Sequence, residues 1–342
     1  MYSIAKLSPK ERNLLFSKFA LERGINISIV EKDFWVTLML DYLFHKSSYR
    51  DFFIFKGGTS LSKCFNIINR FSEDIDLILK WNILTDDDPN KVRSKNQQDK
   101  YNKNINIKAQ EFIRDKLKPE MVKDFRAILG LEPDIYIEED EPQVLNFNYP
   151  RIRSNSMSGL LHSIRLEIGP LAALSPTEDV EISPMIARLQ VPNLNIPSTI
   201  IKTVSPERTF WEKVLILNQE AHRSDEKDVP ARYSRHYYDV YKISLTKYKE
   251  KAYKDIDLLN NVREFKKKFY PSSWAGYDLA KPGTFQLIPS KKHINELTKD
   301  YLSMQEMIND KTHINFKELL ENIKNIEAVS YTHLTLPTNS RV

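Results

Sequence analysis

One stretch near the N-terminus constrains the fold more than any other part of the chain. Residues 55–61 read FKGGTSL and follow an apolar run at residues 51–55, which predicts a short strand. The Gly57-Gly58 pair ends that strand, because glycine permits a tight turn and lets the backbone approach another group closely. A helix is expected over residues 60–68, with Thr59 as its N-cap.

A second strand follows, and it carries two carboxylates. Residues 70–77 read RFSEDIDL, in which Asp74 and Asp76 alternate with apolar residues and therefore project from one face. Neighbouring carboxylates repel each other and favour a divalent cation, and a glycine turn before a helix suits a phosphate. A Gly-Gly pair alone is usually a turn, and Asp-x-Asp alone is often a solvated strand end. Their combination is more specific and meets the needs of nucleotidyl transfer.

These two stretches resemble motif I of the polymerase-β-like nucleotidyltransferase superfamily and, more narrowly, the AbiEii/AbiGii nucleotidyltransferase toxin family. The resemblance implies an α+β chain. Residues 1–204 are expected to form the nucleotidyltransferase core, with N-terminal helices and a mixed sheet. Residues 205–328 are expected to form a mainly helical lobe that completes the active site. Residues 329–342 resemble translated sequencing-adapter tails and are expected to be non-native.

The resemblance also assigns roles around the first motif. It implies that Asp74 and Asp76 bind Mg²⁺. Backbone and side-chain groups of the glycine turn and of one further serine are expected to bind the nucleotide phosphates: Lys56, Gly57, Gly58, Thr59, Ser60 and Ser72.

A third carboxylate is expected from the strand at residues 163–169. Its apolar residues face one way, whereas Arg165 and Glu167 face the other. The superfamily takes a third carboxylate from a strand beside the Asp-x-Asp pair, and Glu167 fits that role by order and type. It would help to bind a metal ion or activate the acceptor. The alternative is a surface strand with an ordinary Arg–Glu pair.

A helix is expected to begin after Ser205, which suits an N-cap and is followed by Pro206. Lys213 lies beside the apolar stripe of this helix. Such a lysine usually extends to solvent, but it can equally reach a triphosphate. The sequence EKVLIL resembles motif III of the toxin family, which implies that Lys213 contacts the nucleotide phosphates.

Residues 234–243, SRHYYDVYKI, resemble motif IV of the same family. The resemblance implies that Asp239 is an active-site residue and that Arg235 contacts the nucleotide. Arg235 and Asp239 are four residues apart, so on a helix they share one face and an ordinary ion pair is the simpler interpretation.

The remaining pattern predicts further elements. Helices are expected at 8–23, 26–45, 98–130, 293–308 and 316–326, and strands at 132–150, 160–169, 181–191 and 198–204. Residues 82–97 are polar and are expected to form a loop.

Composition sets weaker limits. The chain has 342 residues, a net charge of +5 and a single cysteine, Cys64, which fits a reducing cytoplasm and excludes a disulfide framework. No apolar run approaches about 18 residues, so no membrane span is expected. Basic residues recur at 91–108 and 266–268. They are compatible with RNA binding and equally with solvated helix faces.

The sequence therefore predicts an enzyme that transfers NMP from an NTP to an acceptor hydroxyl with Mg²⁺. The resemblance points to the 3′ end of tRNA as acceptor, to a bacterial toxin–antitoxin or phage-defence system, and to a cognate antitoxin encoded by a neighbouring gene. Three alternatives stay open at this point: transfer to a small molecule, phosphotransfer by the same carboxylates, and an RNA- or protein-binding module without activity.

Overall fold

A computed structural model of the protein describes residues 1–70, 74–152, 162–189, 196–305, 308 and 314–333. The chain divides into two compact units. The first comprises Met1–Cys64 and Ser72–Val204, and the second comprises Phe65–Phe71 and Ser205–Val342. The short segment Phe65–Phe71 thus groups with the C-terminal part of the chain, which nothing in the sequence indicated.

The first unit is built on a mixed sheet of seven strands among the described residues, in the order β3-β4-β5-β2-β1-β7-β6. The strands are β1 Phe53–Lys56, β2 Asp74–Leu79, β3 Asp134–Ile137, β4 Val144–Asn148, β5 Ser163–Gly169, β6 Thr177–Ile182 and β7 Thr199–Val204. Strand β2 lies at the centre, antiparallel to β1 and parallel to β5. The α+β class and the mixed sheet are therefore confirmed.

Successive side chains of β2 point alternately to the apolar core and to the face that carries the candidate site. Ile75, Leu77 and Leu79 are buried in the large apolar cluster of the unit. Asp74 and Asp76 point to the opposite face and are half-buried. Strand β5 repeats this pattern, with Arg165 and Glu167 alternating with buried apolar residues. Further along the same face, Ile54, Ile78 and Val204 form a second, small buried apolar cluster.

Six helices belong to this unit among the described residues, and most of them contribute buried residues to its apolar core. They are α1 Tyr2–Ala5, α2 Pro9–Arg23, α3 Ile27–Asp41, α4 Gly57–Lys63, α5 Lys95–Phe112 and α6 Lys118–Leu129. The Ser8 side chain caps α2 in a capping box with Glu11, and Asn26 caps α3. Trp35 is fully buried and stacks on Tyr149 at 5.7 Å between ring centroids, which packs α3 against the chain after β4.

The second unit is helical. Its helices are α7 Pro206–Ala221, α8 Ser234–Ser244, α9 Lys247–Lys254, α10 Ile256–Phe269, α11 Lys291–Met304 and α12 Phe316–His333. Trp211 of α7 is buried, stacks on Phe285 and donates a hydrogen bond of 3.2 Å to the carbonyl of Ala252. The expected helical part after residue 205 is confirmed. No helix of the described chain has both the length and the apolar character needed to cross a membrane.

Several local expectations were wrong. Residues 181–191 were expected to form one strand, but β6 ends at Ile182 and a 3-10 turn follows at Met185–Arg188. The helix expected at 60–68 is α4, which begins at Gly57 and ends at Lys63. Helix α12 continues to His333, beyond the point where the helical period of the sequence stops.

Candidate active site

Gly57 brings the start of α4 against a carboxylate of β2. Its φ is +82°, and a Cβ added there would lie 1.9 Å from Oδ2 of Asp76. Both facts require glycine, because an L side chain is strained at this φ and has no space. The close approach expected between the glycine turn and a ligand is therefore, in this structure, an approach to Asp76.

The predicted carboxylates share one face of the sheet. In the parallel pairing of β2 with β5, Asp76 lies opposite Glu167, and Asp74 lies opposite Arg165. Residues two apart on a strand project from the same side, so Asp74, Asp76 and Glu167 form one acidic face. The structure thus brings the Asp-x-Asp pair and the candidate third carboxylate onto neighbouring strands.

Arg165 lies within this acidic face. Its guanidinium is 2.9 Å from Glu141 Oε1, 3.4 Å from Asp74 Oδ1 and 4.0 Å from Glu167 Oε1. The hydrogen bond that Arg165 donates to Glu141 raises the pKa of Arg165 and lowers the pKa of Glu141. The interpretation of Arg165 and Glu167 as an isolated surface pair is incomplete, because Arg165 contacts three carboxylates.

The donor chemistry of the acidic face fits a hard divalent cation. Carboxylate oxygens are the ligands that Mg²⁺ prefers. Oδ1 of Asp74 is buried and accepts no hydrogen bond from any residue that the structure describes, so it has acceptor capacity for a ligand. The described residues contain no group of three His, Cys, Asp or Glu side chains arranged closely enough to hold a metal ion. The face therefore has suitable donors that are not gathered into a closed site.

The hydroxyl groups at the glycine turn are occupied by protein partners. Thr59 Oγ1 donates to the carbonyl of Asp74 at 2.6 Å, and Ser60 Oγ donates to the carbonyl of Gly57 at 2.9 Å. Thr59 lies inside α4 and is not its N-cap, which is Lys56. Ser72 lies outside the described residues. Phosphate oxygens need donors, so phosphate binding by these hydroxyls requires that the two bonds break.

A second group of predicted residues lies in the helical unit and centres on Asp239. This carboxylate is fully buried on α8. Arg70 donates to both of its oxygens, at 2.7 and 2.8 Å, and Lys213 Nζ of α7 lies 2.8 Å from Oδ2. Burial raises the pKa of Asp239, but the charges and hydrogen bonds of Arg70 and Lys213 outweigh burial and hold the pKa below its usual range.

Lys213 and His236 interact within the same group. Lys213 is buried, so the ordinary alternative for a lysine beside an apolar stripe, extension to solvent, does not hold here. Its Nζ is 3.5 Å from Nδ1 of His236. Burial and the adjacent positive charge of Lys213 lower the pKa of His236 well below its ordinary value, so this imidazole is neutral at pH 7.

Two arginines in these groups were missed as site residues. Arg70 is the first residue of the RFSEDIDL stretch and reaches Asp239 across 169 positions of sequence, which no local spacing rule predicts. The expected pair between Arg235 and Asp239 is absent among the described contacts, since Asp239 pairs with Arg70 and Lys213 instead. Arg165 was seen in the sequence, but only as the neighbour of Glu167.

Comparisons with known proteins bear on the family of this chain. The family model for the nucleotidyl transferase AbiEii toxin of type IV toxin–antitoxin systems matches residues 40–322, which include every predicted site residue. The solved structure of MenT4, a nucleotidyltransferase toxin from Mycobacterium tuberculosis H37Rv, has a TM-score of 0.44 and 15% sequence identity, with 94% of this chain and 99% of that chain covered. No curated protein matches this chain. The match over most of the chain confirms the resemblance of the motifs, and the protein belongs to the AbiEii nucleotidyltransferase toxin family.

Proposed function

We propose that this toxin transfers NMP from an NTP to the 3′-terminal hydroxyl of tRNA, in a Mg²⁺-dependent reaction in the bacterial cytoplasm. The family implies an NTP substrate and an antitoxin partner, and we take the antitoxin to be encoded by a neighbouring gene in a toxin–antitoxin or phage-defence system. One observation carries the proposal. Asp74, Asp76 and Glu167 share one face on adjacent strands, and Gly57 packs directly against Asp76.

The acidic face supplies the ligands. Asp74, Asp76 and Glu167 would hold Mg²⁺, which when bound neutralises charge on the phosphate oxygens. Asp76 is oriented by the backbone at Gly57, and Glu167 is the more exposed carboxylate, with 43% of its side chain accessible. That exposure suits Glu167 for a role towards the acceptor, where it would accept the proton of the attacking hydroxyl.

The bond changes are those of a nucleotidyl transfer. The acceptor oxygen forms a bond to the α-phosphorus, the bond from the α-phosphorus to the β-phosphate oxygen breaks, and pyrophosphate leaves with the electron pair. Charge develops on the phosphate oxygens during this step. The backbone of residues 56–60 would contact these oxygens through N–H groups.

Lys213 and Asp239 are the proposed site residues of the helical unit. Lys213 would contact the nucleotide phosphates, and Asp239 accepts a bond of 2.8 Å from its ammonium, which limits the positions that this flexible side chain can take. Arg235 remains a proposed nucleotide contact, supported by the motif alone. Lys213→Ala should weaken both NTP binding and turnover, and Lys213→Arg should restore only part of the loss.

The test is incubation of the protein with total tRNA, Mg²⁺ and each of the four NTPs, labelled at the α-phosphate in one series and at the γ-phosphate in another. We expect label on RNA only from an α-labelled NTP. Transfer of γ-label would indicate a phosphotransferase. Label on a small hydroxylated acceptor such as an aminoglycoside, with none on RNA, would overturn the tRNA proposal.

Two variants tie the activity to the acidic face. Asp74→Asn and Asp76→Asn should each abolish transfer while the protein remains folded, because the loss of a carboxylate charge removes metal affinity. Asp179→Asn is the matched control, since Asp179 is an exposed aspartate on β6. Full activity of either site variant at ordinary Mg²⁺ would exclude the metal assignment.

A further inference from the structure

We propose that Arg165 is a built-in countercharge of the acidic face, and that it competes with the divalent cation for Asp74 and Glu167. This inference rests on the proposed metal-dependent function. In the absence of a metal ion, the guanidinium offsets the repulsion among the carboxylates. When a cation binds, Arg165 gives up its interactions with them and keeps its bond to Glu141.

The guanidinium of Arg165 binds one carboxylate firmly and two others only weakly. Its Nη2 lies 2.9 Å from Glu141 Oε1, which is hydrogen-bond distance. Its Nε is 3.4 Å from Asp74 Oδ1, and Nη2 is 4.0 Å from Glu167 Oε1, both too long or poorly aligned for strong hydrogen bonds. Glu141 is thus the firm partner, and Asp74 and Glu167 are looser partners that another cation can take.

Position in the sheet explains why this arginine faces the carboxylates. Arg165 precedes Glu167 by two residues on β5, so both side chains project from the same face. Asp74 is directly opposite Arg165 in the parallel register. The side chain is 18% exposed, so the positive charge is held close to the acidic face rather than dispersed in solvent.

The state of Asp74 favours competition over a purely structural pair. Its Oδ1 is buried and accepts no hydrogen bond from the described residues, although the Nε of Arg165 lies 3.4 Å away. A structural salt bridge would use this oxygen for a directed bond, as Arg70 does at both oxygens of Asp239. Asp74 instead keeps a ligand position open next to a guanidinium that only partly neutralises it.

The sign of the effect separates this role from a structural one. Loss of a structural arginine loosens the carboxylates and weakens metal binding. Loss of a competing positive charge a few ångströms from the metal strengthens it, on the order of tenfold for unit charges at partly screened distances. A variant that binds metal more tightly while its melting temperature stays level or falls is not explained by a packing role.

The experiment measures Mn²⁺ binding by electron paramagnetic resonance, in the full chain without nucleotide. Arg165→Gln should bind Mn²⁺ about tenfold more tightly than wild type. Arg165→Lys, which keeps the charge, should stay close to wild type. Glu141→Gln should weaken binding, because the guanidinium is then held only by Asp74 and Glu167. Arg126→Gln is the matched control, since it removes an exposed arginine paired with Glu132 and should change nothing.

The outcomes distinguish this inference from the function on which it rests. Equal or weaker Mn²⁺ binding by folded Arg165→Gln overturns the competition. If that variant fails to fold, unchanged or tighter binding by Glu141→Gln overturns it instead. Mn²⁺ binding at the acidic face should be lost when Asp76→Asn is introduced. If wild type and Arg165→Gln both lack such binding, the metal-dependent function fails and the inference fails with it. If Arg165→Gln loses NTP affinity with unchanged Mn²⁺ affinity, Arg165 is a nucleotide contact and not a countercharge.

Discussion

At the scale of single residues, Gly57 sets the position of a predicted metal ligand. Gly57→Ala should displace the Asp76 carboxylate, because the new Cβ would lie 1.9 Å from its Oδ2, and it should also strain a backbone at φ +82°. We expect nucleotide transfer to fall by about 100-fold, the loss typical of a misplaced reacting group. The labelling assay measures the activity, and thermal unfolding measures the stability.

Gly130→Ala is the matched control for that change. Gly130 has φ +71° but no atom within 4 Å of an added Cβ, so the substitution imposes backbone strain without a clash. It should lower stability by about 1 kcal/mol and leave transfer near the wild-type rate. Equal activities of the two variants would show that the contact between Gly57 and Asp76 has no part in the reaction.

The buried carboxylate of Asp239 gives a second prediction at this scale. Asp239→Asn removes the negative charge that Arg70 and Lys213 share, and leaves two buried cations facing a neutral amide. Breaking a buried ion pair on one side costs about 3–5 kcal/mol, so the variant should unfold at much lower denaturant concentration. Denaturant unfolding followed by circular dichroism measures the change.

The chain contains a suitable comparison for Asp239. Arg114 and Asp115 form a two-point pair of similar geometry, but both side chains are more than half exposed. Asp115→Asn should therefore change stability little, because solvent and salt screen an exposed pair. If Asp239→Asn lowers the free energy of unfolding no more than Asp115→Asn does, the burial of the Asp239 ion pairs does not make them more important for stability.

At the scale of elements, α2 and α3 hold the chain that follows β4 through buried charged groups. Arg12 of α2 donates to the carbonyl of Pro150 at 2.9 Å, and Glu31 of α3 accepts from the N–H of Ile152 at 2.9 Å. Burial raises the pKa of Glu31 to about 7, although the hydrogen bond and the nearby arginines act in the opposite direction. This carboxyl is therefore a titrating group within the packing of α3.

The raised pKa predicts how stability depends on pH. The folded state binds the Glu31 proton more tightly than the unfolded state, whose pKa is near 4.5. Stability should therefore fall as pH rises from about 4.5 to about 7, by about 3 kcal/mol, and then stay level. Glu31→Gln should lose this dependence, as measured by urea unfolding across that range. Glu139→Gln, an exposed control, should keep it. Parallel pH profiles for wild type and Glu31→Gln would refute the assignment.

Sequence alone predicted the elements whose signals are local. The helices predicted to begin near residue 8, near Asn26 and after Ser205 are α2, α3 and α7. The Ser8 and Asn26 side chains cap their helices, whereas Ser205 stands at the N-cap position of α7 without a side-chain capping hydrogen bond among the described residues. The polar alternation of β2 and β5 likewise placed Asp74, Asp76 and Glu167 on one side of their strands. Such signals depend on neighbours in sequence, and the fold preserves them.

Errors arose where distant contacts decide the local structure. The apolar residues at 185–188 fit a strand, yet they form a 3-10 turn that packs against the main core. Thr59 fits an N-cap, but α4 begins three residues before the predicted start at residue 60, at Gly57, which lies against Asp76 of β2. The partners of Asp239 lie far away in sequence, so the simple four-residue spacing to Arg235 was a poor guide. Periodicity carries no information about such partners.

At the scale of the whole molecule, the predicted residues are divided between the two units. Asp74, Asp76 and Glu167 belong to the first, and Lys213 and Asp239 belong to the second, together with Arg70. Only residues 71–73 separate Arg70 from Asp74 along the chain. The RFSEDIDL stretch thus contributes a charged residue to each unit. Variants in either unit should reduce the same reaction if the family assignment of both groups is correct.

Activity of the whole molecule should be visible in living cells. Expression of the chain in a bacterial host without an antitoxin should inhibit growth, and Asp76→Ala should relieve the inhibition at equal protein level. The proposed reaction would join nucleotides to the terminal 3′ hydroxyl of tRNA, which must be free to carry the amino acid. The measurements are growth after induction and the length of tRNA 3′ ends in the same cultures.

Asp179→Ala should stay as toxic as wild type, because it removes an exposed carboxylate of β6 outside the acidic face. Growth inhibition with unextended tRNA would point to another acceptor, whereas inhibition that persists in folded Asp76→Ala would separate toxicity from nucleotide transfer altogether.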